Sequence, residues 1–114
     1  QVTVLFTSAK RAQDNPQSLA AFRRAFAKGA ALYNAALVDK SLSEAEVAAV
    51  VADVHRYVFV DKPEAEAARL IQAGAMCVSP DAALNRADVL KQVQWFKEEK
   101  LVPDALDGNA LLVD

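Results

Sequence analysis

Few of the side chains that start chemistry are present in this chain. It has one histidine, His55, and one cysteine, Cys77, well separated and without ligand-spaced neighbours. A metal centre needs three or four imidazole, thiolate or carboxylate groups converging on one point, so no metal is expected. His55 falls near the end of an expected helix, where a cation is favoured by the helix dipole, and a capping role is expected rather than catalysis. No Gly-x-Ser-x-Gly elbow occurs, and Ser43 and Ser79 fall at expected caps or loops; without a nucleophile and base in partnership there is no acyl-transfer machinery. Gly29, Gly74 and Gly108 are too dispersed for a phosphate-cradling loop. No catalytic residue, no cofactor and no enzymatic activity are expected.

Three places remain where side chains could meet a ligand or partner. Thr7 and Ser8 stand at the carboxyl end of an expected strand, the end at which open α/β sheets bind ligands. Their hydroxyls could donate to a polar or anionic ligand, and they are the candidate ligand-binding residues. Trp95 and Phe96 are adjacent on an expected helix and point about 100° apart, so at most one of them faces the centre of a core. Lys97, Glu98, Glu99 and Lys100 form a mixed charge cluster at a helix end, the usual pattern of a solvated face. Cys77 is expected to be a small core hydrophobe.

The elements that would position these groups are mostly helical. Val2–Thr7 is rich in β-branched and aromatic residues and reads as a strand. Asn15-Pro16 is a helix start, and Leu19, Phe22, Phe26, Tyr33 and Leu37 form one apolar stripe running to about Val38, with Gly29 as a close-packing point. Ser43-Glu44-Ala45-Glu46 is a capping box, stapled by Leu42 and Val47, for a helix from Glu44 to about His55. Tyr57–Val60 is extended or a connection. Asp61-Lys62-Pro63-Glu64 opens a third helix with a similar cap, closed by Gly74. Met76–Pro80 is a loop. Asn85 caps a fourth helix with Val89, Val93 and Phe96 on one face, Pro103 blocks continuation, and Asp107 caps a last short turn. The fold class is therefore mostly α with one N-terminal strand over residues 2–7, followed by four to five helices in a single segment, 1–114.

A lone strand leaves its backbone groups without partners, so something outside the segment should pair with it. The absence of an initial methionine points the same way, to a piece of a larger protein. A length of 114 residues suits one compact domain. The net charge of -2, with both signs scattered, gives no electrostatic footprint for nucleic acid. Hydrophobic residues make up 54 % of the chain, but many are alanine, so a tight, thin core is expected. No run approaches the length needed to cross a bilayer.

The order of pieces resembles a known family. Thr-Ser-Ala-Lys-Arg-Ala-Gln-Asp-Asn-Pro from Thr7, Leu-Ala-Ala-Phe-Arg-Arg-Ala-Phe from Leu19 and Val-Leu-Lys-Gln-Val-Gln-Trp-Phe-Lys-Glu-Glu-Lys-Leu-Val from Val89 resemble the last third of ABC-transporter solute-binding proteins of the nitrate, sulfonate and taurine type. That family shares its fold with thiamine-pyrimidine synthesis proteins. The resemblance implies a part of a two-lobed, type II periplasmic-binding-protein fold, α/β when complete, that holds a small organic ligand in an interlobe cleft. It also implies a membrane permease as partner and a periplasmic or extracellular location, with or without a lipid anchor. Alone, the segment is expected to form a homo-oligomer through its unpaired strand. A different class of protein, a self-contained helical protein–protein interaction module, also fits the residues.

Overall fold

The computed structural model describes residues 4–79, 81 and 83–112. In chain order the helices are α1 (Ala9–Asp14), α2 (Pro16–Tyr33), α3 (Glu44–His55), α4 (Glu64–Ala73) and α5 (Arg86–Glu98). A π-helical turn, Asn34–Val38, continues α2, and a 3-10 turn, Asn109–Leu111, follows α5. The expectation of a mostly helical chain is met. Of the strand expected over residues 2–7, Val2 and Thr3 lie outside the described residues. Val4–Thr7 forms no strand, since no strand occurs among the described residues to pair with it. The chain divides into two compact units, one from the described residues of Ala9–Ala82 and one from those of Gln1–Ser8 and Ala83–Asp114.

The Ala9–Ala82 unit is built on the packing of α3 against α4 and the π-helical turn. Its core is Ala36, Leu37, Val50, Val51, Ala67 and Ile71, flanked by Tyr33, Leu42, Val47, Val54, Ala68 and Ala75. Each of the larger aliphatic side chains contributes about 1.5–3 kcal/mol by burial, whereas alanine mainly permits close approach. The start of α3 is capped as its sequence dictates. Ser43 Oγ accepts from the Glu46 N–H at 3.4 Å, and the Ser43 N–H donates to Glu46 Oε2 at 2.9 Å. Leu42 and Val47, the expected staple, both pack against the core. At α4 the expected cap is corrected: the helix does begin at Glu64 and is closed by Gly74 at its C-cap, but the N-capping position is Pro63 and no side chain accepts there. Lys62 pairs instead with Glu66 at 3.4 Å.

The π-helical turn was not expected, because the apolar stripe runs through it without interruption. Its Asp39 N–H reaches Asn34 O at 2.8 Å, and the chain then reverses through Lys40 at φ 52°. The Asn34 side chain is buried and clamps a distant loop: Nδ2 donates to Val78 O at 2.7 Å and Oδ1 accepts from Val78 N–H at 2.9 Å. An amide here does for the Ala75–Ser79 segment what a neighbouring strand would do, satisfying donor and acceptor together.

The apolar stripe on α2 is less buried than its spacing implies. Leu37 is buried and Tyr33 and Phe26 are half-buried, but Phe22 is 55 % exposed, stacked on Phe26 with centroids 6.4 Å apart. α2 packs chiefly on its chain neighbours, α1 and the π-helical turn. Gly29 is corrected as well: a Cβ there would meet nothing within 4 Å, so it is no close-packing point.

In the other unit Asn85 caps α5 as expected, its Oδ1 accepting from Asp88 N–H at 3.1 Å. The helix ends in a Schellman motif: the Leu101 N–H bonds Phe96 O at 2.9 Å and the Lys100 N–H bonds Lys97 O at 3.0 Å. Lys100, at φ 59°, holds the left-handed position usually given to glycine. Gly108 is buried against α5, where a Cβ would lie 2.9 Å from Leu90 Cδ2 and 3.3 Å from Val93 Cγ1. Asp107 Oδ1 accepts from Asn109 N–H at 2.9 Å and so begins the last turn.

Candidate functional site

Among the described residues no three His, Cys, Asp or Glu side chains lie close enough to hold a metal ion. His55 is half-buried at the end of α3, with Nε2 3.0 Å from Phe59 O. A carbonyl oxygen only accepts, so Nε2 carries the proton, and the ring fastens the loop after α3 to the helix end. Cys77 is corrected: it is exposed, because it is the next residue, Val78, whose backbone turns to the buried Asn34 amide. Trp95 and Phe96 are in contact, with centroids 5.2 Å apart, and are 52 % and 37 % exposed, so neither faces the centre of a core.

Thr7 and Ser8 lie in the irregular stretch before α1, and both are exposed. The charge cluster at the end of α5 is a solvated helix end. Glu98 accepts from Gln94 Nε2 at 3.0 Å and Lys100 pairs with Asp104 at 3.3 Å.

One concavity is announced by no local motif. A groove of about 490 Å3 in the Ala9–Ala82 unit has an apolar floor that includes Leu37, Leu42, Val47 and Val51. Its rim carries Lys40, Glu44, His55, Glu64 and Gln72. Three elements build it. The π-helical turn with the reversal at Lys40, α3 and α4 each contribute lining residues. Its volume lies in the range of small-molecule sites. Lys40, Glu44, Glu64 and Gln72 make no side-chain hydrogen bond or ion pair among the described residues.

No hydroxyl or thiol lines this groove, and the one imidazole at its edge is committed through Nε2 to Phe59. The arrangement can hold an apolar body with polar groups at its ends, and it contains no nucleophile and base in partnership. A shallower depression, along Lys100–Asp104, is the surface of a single loop.

The clearest electrostatic perturbation is structural. The Ser43 hydroxyl, donating to Glu46 Oε2 at 2.6 Å, and then the Ser43 backbone N–H hold the Glu46 carboxyl below its ordinary 4.5. Both bonds favour the charged form, and they belong to the α3 cap.

No helix among the described residues is long and apolar enough to cross a membrane. In comparisons with known proteins the chain matches no family model, no curated protein and no solved structure.

Proposed function

We propose that the chain is the C-terminal part of the solute-binding component of an ABC importer, a ligand-capturing module without catalysis of its own. The observation that carries the reading is the run Val4-Leu5-Phe6, exposed by 49 %, 57 % and 94 %. Such a run is costly to leave in water and suits a strand completed by a sheet from elsewhere in a larger α/β protein. In this reading Val2–Thr7 becomes a strand of a type II periplasmic-binding-protein fold. Thr7 and Ser8 then stand at its ligand-facing end, and the helices behind it complete one lobe. The whole protein works in the periplasm or outside the cell, anchored by lipid or free, and delivers a small organic solute to a membrane permease. The isolated 114-residue chain self-associates through the same unpaired run.

The test is a thermal-shift screen of the full-length protein against nitrate, taurine, other sulfonates and pyrimidines, since a ligand that binds the native state raises its melting point. A shift of several degrees with one of them, abolished by Thr7→Val with Ser8→Ala, supports the reading. Silence across the panel sinks it.

A second reading, a self-contained helical interaction module, is favoured by one observation. Tyr57, Val58, Phe59 and Val60 form a consecutive apolar loop exposed by 85 %, 42 %, 40 % and 67 %. Loss of partner capture on Tyr57→Ser, with no small-molecule stabilisation, selects that reading over the first.

A further inference from the structure

α2 combines two properties that do not depend on the solute-receptor reading. From Asn15 to Val38 there is no acidic residue, while Arg23, Arg24 and Lys28 are cationic, in a chain whose net charge is -2. None of the three cations has an ion-pair or hydrogen-bond partner among the described residues, and all three are exposed. Around the helix, at about 100° per residue, Leu19, Phe22, Phe26 and Tyr33 fall within an arc of about 60°. Arg23 stands at the edge of that arc, and Arg24 and Lys28 stand opposite it. Phe22 is 55 % exposed and little beyond the chain neighbours packs on the helix.

We propose that α2 docks on an anionic lipid surface, lying in the plane of the headgroups with Leu19, Phe22 and Phe26 toward the acyl chains. The placement of the cations favours a bilayer over a protein groove. A groove that took Leu19, Phe22 and Phe26 as its i, i+3 and i+7 anchors would leave Arg24 and Lys28 pointing into solvent. A helix about 10–12 Å across, seated about 5–10 Å into the headgroup boundary, keeps its polar side among the phosphates, where every cation counts.

Co-sedimentation of the 114-residue chain with vesicles tests this, using phosphatidylcholine alone and an equal mixture with phosphatidylglycerol. The chain is expected to sediment with the mixed vesicles, to stay in solution with phosphatidylcholine, and to be released by salt. Each cation near an anionic surface contributes roughly fivefold in partitioning, so R23E with R24E should lower it at least tenfold. Phe22→Ser should lower it severalfold. Lys91→Glu, which removes an exposed cation on α5, should leave it within twofold. R24E places an acid four residues before Lys28, which favours the helix, and circular dichroism checks that each variant is folded. Equal sedimentation with both vesicle types, no sedimentation with either, or an R23E/R24E effect no larger than that of Lys91→Glu overturns the proposal. So does charge-dependent retention on immobilised polyglutamate without vesicle binding, which assigns the helix to an acidic polypeptide instead.

Discussion

Replacing Asn34 by aspartate keeps the acceptor that meets the Val78 N–H and exchanges the amide donor for a second oxygen facing the Val78 carbonyl, 2.7 Å away in the native chain. In acid the introduced carboxyl is protonated, its O–H donates where Nδ2 did, and the clamp closes. Once ionised, the group is a buried charge pointing at the negative end of a carbonyl dipole. Burial and this contact both disfavour the charged form, so the carboxyl's folded pKa lies above its unfolded value of about 3.9.

The sign follows from proton linkage. A raised folded pKa gives a contribution fully present below about pH 3.9 and lost as the pH rises through the folded pKa. Each unit of displacement is worth about 1.4 kcal/mol, so a displacement of about two units makes the variant about 3 kcal/mol less stable at neutral pH than in acid. Asn34→Ala removes both bonds at every pH and should cost about 1–3 kcal/mol without that slope. The assay is urea unfolding of wild type and both variants between pH 4 and pH 7, with the wild-type curve subtracted because Glu46 titrates too. An Asn34→Asp curve parallel to wild type within about 0.5 kcal/mol would refute a buried clamp, since a solvated carboxylate carries no such slope.

Ser43→Ala should cost about 1 kcal/mol in urea unfolding, the usual loss for an N-cap. Because the folded Glu46 carboxyl lies below 4.5, its contribution is present above that value and lost as the pH falls through the folded pKa. Glu46→Gln should therefore flatten the acid limb of the stability profile. Gly29→Ala should raise stability by about 0.5–1 kcal/mol, since a helical glycine there faces open space. Gly108→Ala should lower it by about 1 kcal/mol, because its Cβ crowds Leu90 and Val93; equal effects of the two in thermal melts would disprove the packing at α5. Lys100→Gly should raise the melting point by the equivalent of about 1 kcal/mol by relieving a left-handed lysine. Phe26→Ala would cost about 3–5 kcal/mol if the ring were fully buried, but half-buried as it is it should cost about 1–2 kcal/mol by the same denaturation.

What could be read from the sequence was what neighbouring residues settle among themselves. The bounds of α3, Glu44–His55, follow from a capping box that forms within four residues, and Asn85 announces α5 in the same way. α1 could not be read, because Lys-Arg-Ala-Gln-Asp has no apolar period and its Lys10–Asp14 pair is a weak signal. The chain reversals were hidden for a different reason. Every described backbone site with positive φ is occupied by Lys40, Phe59, Asp81 or Lys100, and none by glycine, so the residue that normally marks such sites marks nothing here. The stripe of α2 told the right face but not its burial, which depends on what the face meets. The groove depends on the π-helical turn, α3 and α4 coming together, and only Glu44, His55 and Glu64 of its rim had drawn notice, all as parts of helix ends.

The distribution of ring side chains bears on all these readings at once. None of the eight aromatic residues is buried: Phe6, Phe22, Tyr57, Phe59, Trp95 and Phe96 are exposed and Phe26 and Tyr33 half-buried. Among the described residues the buried apolar side chains are alanine, valine, leucine and isoleucine, all in the Ala9–Ala82 unit. An aromatic ring carries about 150–250 Å2 of burial and is the side chain a small core can least do without. A chain that places its large rings outside and its alanines inside is arranged to gain stability by being covered. The proposed cover differs at each site: backbone for Val4–Phe6 in the solute-receptor reading, phosphate and acyl chains for Phe22 in the lipid-docking proposal, and an apolar protein surface for Tyr57–Val60 in the interaction-module reading. Single serine substitutions at Phe6, Phe22 and Tyr57 therefore separate the readings, because each should weaken one association and leave the helical content of the isolated chain unchanged.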